Sequence, residues 1–259
     1  MQNDLLKYID PEYTLALIPA RGGSKSVPKK NIRLFQGHPM IAYSIAACAL
    51  SQELSRIIVS TDSEEIAEIA RRYGAETPFL RPAECSGDAS PDIDFMRHAI
   101  RWLGEHEGRI PKYIAHIRVT TPIRDYRIMD QGIRRIKEDE AATSLRAGYI
   151  LPHSPYKWFQ YGESGYMEPL FPGMTCDEAN MPRQDFPKVL VPNSYVDVVK
   201  PEFIIKNDLL HGDRMIGFET EEVPDIDTEE DLYKLETYRG HKAAFEELYQ
   251  WLEAKTGQR

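Results

Sequence analysis

The chain has 259 residues, 42% of them hydrophobic, a formal net charge of −9 and an isoelectric point near 5.4. That length supports one large α/β core with a sizeable insertion, and the acidic balance excludes general affinity for nucleic acid or anionic membranes. The longest apolar stretch, residues 40–50, falls short of the roughly 18 residues a membrane span needs, and the polar N-terminus (MQNDLLKYIDPEY) is no signal peptide, so a soluble cytoplasmic protein is expected.

The first part of the chain alternates two periodicities. Residues 14–19 (TLALIP) form a short apolar run ending at a glycine-containing turn, which reads as a buried strand. A helix over 40–50 and a strand over 56–60 (RIIVS) follow. In TDSEEIAEIARRYG, Asp62 is placed to cap a helix with Glu65 reaching back, Ile66, Ile69, Ala70 and Tyr73 form one stripe, and Gly74 stops it. A third short strand is expected near 77–80, a helix over 92–103, a fourth strand over 113–120, a helix over 128–136 and a fifth strand over 141–146. Alternation of this kind implies a mainly parallel sheet with helices on both faces, whose ligands bind at the carboxyl ends of the strands. The loops after Pro19, Ser60 and Thr120 then converge on one crevice.

From 149 to 193 the character changes, because Pro152, Pro155, Pro169, Pro172, Pro182, Pro187 and Pro192 prevent a continuous helix. Residues 157–161 and 166–170 flank Gly-Glu-Ser-Gly as a small hairpin. This stretch reads as an inserted arm, so the main α/β domain comprises 1–148 and 194–259. Strands are expected over 195–199 and 215–219, a helix capped by Thr228 and running to 238, and a final amphipathic helix over 241–252.

The first chemical constellation is RGGSKSVPKKNIR, residues 21–33, which holds five cations and no acid on an otherwise acidic chain. Its glycines permit close backbone approach to phosphate oxygens, and Arg21 with two or three lysines supplies charge against a triphosphate. No Gly-Lys-Ser/Thr follows at Walker A spacing. Taken alone, the loop also reads as an ordinary solvated surface turn. The second constellation is Asp225-Ile226-Asp227. Residues i and i+2 of an extended segment point to one side, so both carboxylates can reach one hard cation, although D-x-D before Thr-Glu-Glu is equally a turn and a cap. The seven histidines and three cysteines show no ligand-like spacing.

A strand ending in A-R-x-x-S-K-x-x-x-x-K-N resembles the signature loop of the cytidylyltransferases that activate acylneuraminic and related nonulosonic acids. The likeness continues through RIIVSTDSEEIAEIARRYGAE, LRPAECSGDAS, TTPIR, MPRQDFPKVLVPNSY and DIDTEEDL. It implies a Rossmann-like nucleotide-diphospho-sugar transferase fold, a magnesium cofactor, CTP and an acidic sugar as substrates, and a homodimer built through the arm. It implies catalytic roles for Arg21, Lys30 and Arg118, and a nucleotide cradle of Ala20, Arg21, Gly22, Gly23, Ser24, Lys25, Lys30 and Asn31 completed by Arg81 and Asp88. Asp225 and Asp227 match the metal ligands. Arg118, Thr120, Arg183, Gln184, Asn193 and Tyr195 fall where the acceptor is recognised, and an arginine there suits a carboxylate.

Two departures lie on the acceptor side. The sialic-acid enzymes read Q-P-T-S-P-L-R where this chain has Arg118-Val119-Thr120-Thr121-Pro122-Ile123-Arg124, and Asn-Gly where it has Asn193-Ser194. Arg118 is therefore expected to meet an extra carboxylate or phosphate. Three readings stand: CMP transfer to a nonulosonic acid, the same fold with another acidic acceptor or GTP, and a silent nucleotide-binding module.

Overall fold

The computed structural model describes residues 2–23, 27–87 and 89–257. Its strands are β1 Ile9–Pro19, β2 Leu34–Phe35, β3 His38–Pro39, β4 Arg56–Ser60, β5 Ile110–His116, β6 Ser144–Ile150, β7 Phe159–Tyr161, β8 Met167–Pro169, β9 Leu190–Val199 and β10 Met215–Glu219. Its α-helices are α1 Met40–Leu50, α2 Glu64–Arg72, α3 Asp92–Trp102, α4 Tyr126–Lys137, α5 Pro201–Asn207, α6 Glu229–Thr237 and α7 Lys242–Thr256.

Six strands form one sheet in the order β10-β6-β9-β5-β1-β4. The pairs β1/β4, β1/β5 and β10/β6 run parallel, and β9 runs antiparallel to both its neighbours. The expected α/β class with a mainly parallel sheet is therefore what the chain adopts. Strand β1 shows why its sequence is apolar without a break. Leu15 and Leu17 point into one core with α3 and α5, Ala16 and Ile18 into the other with α1, α4 and α7, and all four are fully buried. Helix α1 is buried nearly all round, which explains its uniformly apolar sequence.

Several expectations need correction. Residues 77–80 form no sheet strand, and the only pairing nearby is an isolated bridge from Ile58 to Glu76. Ser63, not Asp62, caps α2 by accepting from Ile66 N, whereas Gly74 with φ +94° ends that turn as expected. The strand expected over 113–120 occupies Ile110–His116, and the one over 141–146 is shifted to Ser144–Ile150. Thr228 forms a full capping box with Asp231.

The arm behaves as read from its prolines. Strands β7 and β8 pair as a hairpin, and Tyr156 stacks on Phe171 at 4.2 Å and on Phe186 at 5.8 Å between ring centroids. The arm thus has a small aromatic cluster of its own. Where it rejoins the sheet, the β6/β9 register slips between Arg146 and Gly148. Within that irregularity Ser194 adopts φ +59°, a left-handed conformation that a non-glycine residue takes at a cost.

Candidate active site

The carboxyl ends of β1, β4 and β5 open onto a cavity of about 460 Å³, lined on one side by Arg21, Gly23, Lys30, Asn31 and Asp227 and on the other by Asp92, Phe95, Arg118 and Thr120. Arg81 and Gly87 also line it. Parallel strands deliver their following loops to this edge, which is why three sequence-distant segments meet.

The side formed by the loop after β1 is pinned from several directions. Ala20 N donates to Ser60 O at 2.9 Å, and Gly22 N donates to Asp62 Oδ1 at 2.7 Å. A Cβ on Gly22 would stand 3.1 Å from Ser63 Cβ, a tight contact that a larger residue could make only if the loop or the start of α2 shifted. Asn31 Nδ2 donates to Arg21 O at 2.9 Å and closes the loop on itself. Arg21 Nη1 donates to Gly87 O at 3.0 Å. Lys30 Nζ donates to Ile226 O at 2.8 Å and to Asp227 Oδ1 at 3.1 Å. Lys29, by contrast, turns outward to Glu65 at 2.8 Å. Ser24, Lys25 and Asp88, also expected in the cradle, lie outside the described residues.

The Asp225-Ile226-Asp227 segment is tied between two loops. Ile226 N donates to Thr120 O at 2.8 Å while its own carbonyl accepts from Lys30, and its side chain is fully buried. Asp227 is exposed and lines the main cavity, whereas Asp225 lines a neighbouring one with Asn193 and Asp231. Asp225 Oδ1 is buried with no hydrogen-bond partner. Each carboxylate is a donor of the kind a hard cation accepts, since magnesium takes one or two protein carboxylates with substrate phosphates and water, although here the two carboxylates line neighbouring cavities rather than one. Among the described residues no cluster of three or more His, Cys, Asp or Glu forms a closed protein cage.

Arg81 is buried, donates through Nε to Ser60 Oγ at 3.1 Å and lies 4.9 Å from the centroid of the Phe95 ring. Burial lowers its pKa, yet it stays a cation at any working pH. Arg118 sits between two carboxylates: Nη1 donates to Asp197 Oδ2 and Nη2 to Asp92 Oδ2, both at 2.8 Å. Burial opposes its charge, but Asp197 and Asp92 together outweigh that and raise its pKa.

The remaining acceptor expectations are placed elsewhere. Tyr195 is fully buried, and its hydroxyl is bound to the Asp125 backbone, donating to the carbonyl at 3.2 Å. Asn193 is buried too, donating to Thr220 Oγ1 at 2.8 Å and Glu221 O at 2.9 Å. Both hold the β9 irregularity in shape and neither lines the main cavity. Arg183 and Gln184 line a separate cavity of about 550 Å³ in the arm, beside Lys188 and Phe186.

Sequence reasoning passed over Asp62, Asp92, Asp197 and Arg124. Arg124 is fully buried and donates to Arg118 O at 2.7 Å and Ser44 Oγ at 3.1 Å, fixing the loop that presents Arg118. Burial pushes its pKa down to about 10. The signal available for it was an arginine directly following the apolar pair Pro122-Ile123 in TTPIR. Nothing local marks Asp92 or Asp197 as partners of Arg118, from which they are 26 and 79 residues away in sequence.

A mostly parallel sheet with a glycine-rich cationic loop at its carboxyl edge defines the nucleotidyltransferase class of fold. Residues 15–157 match the family described as cytidylyltransferase, and the chain belongs to that family. It is 36% identical over 127 residues to the pseudaminic acid cytidylyltransferase of Campylobacter jejuni subsp. jejuni serotype O:23/36 (strain 81-176), covering 49% of this chain and 54% of that one. It is 50% identical over 79 residues to the CMP-N,N'-diacetyllegionaminic acid synthase of Legionella pneumophila subsp. pneumophila (strain Philadelphia 1), covering 30% of this chain and 34% of that one. The chain thus spans about half the length, or less, of these relatives. The structure of a CMP:2-keto-3-deoxy-manno-octonic acid synthetase complexed with CTP superposes with a TM-score of 0.63 over 87% of this chain and 97% of that one, at 13% identity, a likeness of fold.

Proposed function

We propose that this protein transfers CMP from CTP to an acidic sugar of the sialic or nonulosonic acid kind, releasing pyrophosphate. The observation that carries this reading is the meeting of Arg21, Lys30, Asn31 and Asp227 in one cavity at the carboxyl edge of the sheet, in a chain of the cytidylyltransferase family. The acceptor's anomeric hydroxyl attacks the α-phosphate, the new P–O bond forms, the bond from the α-phosphorus to the oxygen bridging to the β-phosphate breaks, and the hydroxyl proton passes to water. Arg21 and Lys30 neutralise charge gathering on the departing pyrophosphate, and Gly23 allows the backbone to approach it. Arg81 and the loop around Gly87 line the nucleotide end. A magnesium ion held by Asp225 and Asp227 would offset phosphate charge when bound. The work of the chain is positioning and charge neutralisation, without a covalent intermediate.

The arm exposes Trp158, Tyr161, Tyr166, Met167 and Met181, an apolar surface suited to a second copy of this chain. Since Arg183 and Gln184 do not line their own chain's main cavity, a homodimer gives them a route to the acceptor end of the partner's site. No described helix is long and apolar enough to cross a membrane, in keeping with a cytoplasmic enzyme.

Pyrophosphate release from CTP or GTP with magnesium, across N-acetylneuraminic, legionaminic, pseudaminic and 3-deoxy-octulosonic acids, tests the reading. Release with CTP and one nonulosonic acid, lost in Arg21→Ala and Asp227→Ala, is expected. CTP binding without release under any acceptor would favour the silent module instead.

A further inference from the structure

The acceptor wall is built from charges that answer one another. Asp197, only 1% exposed, lies in register with His116 on β5 and with Arg146 on β6. Directly opposed residues of neighbouring strands share a face, so His116, Asp197 and Arg146 form one polar row across the middle of the sheet. Arg146 Nε stands 3.6 Å from the same Asp197 oxygen that accepts from Arg118. Arg118 and Arg146 therefore face Asp197 and Asp92, so the charge of Arg118 is already answered on both sides before any ligand arrives.

Asp92 differs from Asp197 in being open. It begins α3, its side chain is 43% exposed, and it lines the cavity. Its Oδ2 accepts from Arg118, while its Oδ1 has no hydrogen-bond partner among the described residues. A carboxylate offers only acceptor sites, so the group it takes must bring a proton donor.

We propose that Asp92 is a specificity-determining residue, accepting a hydrogen bond from an acylamino N–H or a hydroxyl of the acid acceptor, and that buried Asp197 is the positioning residue which holds Arg118 against Asp92. The inference rests on the activity proposed above and reverses the sequence expectation that Arg118 meets an extra carboxylate or phosphate. Arg118 is a planar fork fixed at both terminal nitrogens, so it orients Asp92 rather than reaching for the ligand. An anionic substituent without a proton cannot supply the donor that Asp92 needs.

The test is steady-state pyrophosphate release with CTP and acceptor varied separately, for the full chain and for Asp92→Ala, Asp92→Glu, Asp197→Asn and Arg118→Gln, each first checked for a native melting transition. Asp92→Ala is expected to raise the acceptor KM about tenfold or more, the loss of a charged hydrogen bond, with kcat changed by less than about threefold. The CTP KM stays within about twofold of the unsubstituted protein. Asp92→Glu recovers part of the loss, and Asp197→Asn raises the acceptor KM in the same direction. With an acceptor analogue in which the donor is replaced by hydrogen, Asp92→Ala makes no difference. Equal losses for both acceptors, a rise in the CTP KM instead, or preferred turnover of a phosphorylated acceptor that Arg118→Gln abolishes would overturn the inference. Unchanged acceptor KM in the Asp92 variants, beside normal turnover by the unsubstituted chain, would overturn it alone. No turnover of any acceptor by the unsubstituted chain would overturn the underlying activity and this inference with it.

Discussion

The two walls of the cavity both carry arginine or lysine, but they hold those cations in different ways. On the nucleotide wall, Lys30 is met by a backbone carbonyl and by Asp227, whose side chain is 74% exposed. A carboxylate as exposed as that of Asp227 binds its cation weakly, so a phosphate oxygen can replace it at little cost. On the acceptor wall, Arg118 is fixed by Asp197, which is buried, and by Asp92. Breaking such a pair leaves an uncompensated buried charge. The contrast teaches that a cation in a cavity is not by itself an anion receptor. What matters is whether its present partner is easier to displace than the incoming ligand.

The sharpest way to break this comparison is to remove the buried anion. Asp197→Ala leaves Arg118 with Asp92 alone and Arg146 without its carboxylate, and is expected to cost about 2–4 kcal/mol in urea unfolding, whereas Asp227→Ala on the other wall should cost less than about 1 kcal/mol. Equal costs would mean that the walls do not differ as described. Arg21→Ala reverses the order of effect, with native-like unfolding but a loss of about 10²–10³-fold in kcat, as for removal of one charge-stabilising donor. A loss of stability with unchanged turnover would place Arg21 outside the chemistry.

A smaller effect comes from the row beneath Arg118. Burial, and next the Arg118 charge, hold the His116 pKa well below its ordinary 6.5. The unfolded chain then takes up a proton below that value which the folded chain refuses, so stability is intact above pH 6.5 and falls as pH drops beneath it. Between pH 7.5 and 5.5 this one group removes at most about 1.4 kcal/mol, and unfolding of His116→Gln should show a flatter pH profile. A profile as steep as that of the unsubstituted chain would assign the slope to His98 and His211, whose pKa values burial also lowers. Smallest of all, Ser194→Gly relieves a left-handed residue and is expected to stabilise by about 0.5–1 kcal/mol after allowing for the added freedom of the unfolded chain.

That last position shows what the sequence could disclose. Related enzymes have Asn-Gly where this chain has Asn193-Ser194, and the backbone there does take the conformation glycine favours. The substitution was visible beforehand, but its meaning was conformational rather than chemical. Helix α1, strand β4, the arm hairpin and the Thr228 cap were all legible, because each rests on local periodicity or a local side-chain bond. The antiparallel insertion of β9 between β6 and β5 was not, since an apolar run reports a strand but neither its direction nor its neighbours. The phosphate loop was readable because its cations and glycines are contiguous. The acceptor wall was not, because Asp92, Arg118, Arg146 and Asp197 come from four separate elements and only the sheet register brings them together. The family resemblance puts Tyr195 and Asn193 at the acceptor, but their burial depends on the loop containing Asp125 and on the Thr220 segment, which the resemblance does not reveal.

The central claim is transfer of the nucleotide's α-phosphate to an acidic sugar in this cavity. Incubating the full chain with magnesium, a nonulosonic acid and CTP labelled in the α-phosphate tests it directly. The label is expected to appear joined to the acid as a CMP conjugate, with one pyrophosphate released per conjugate, and Arg21→Ala to lose both products together. Label remaining in CTP, or appearing only as free CMP or CDP, would contradict it.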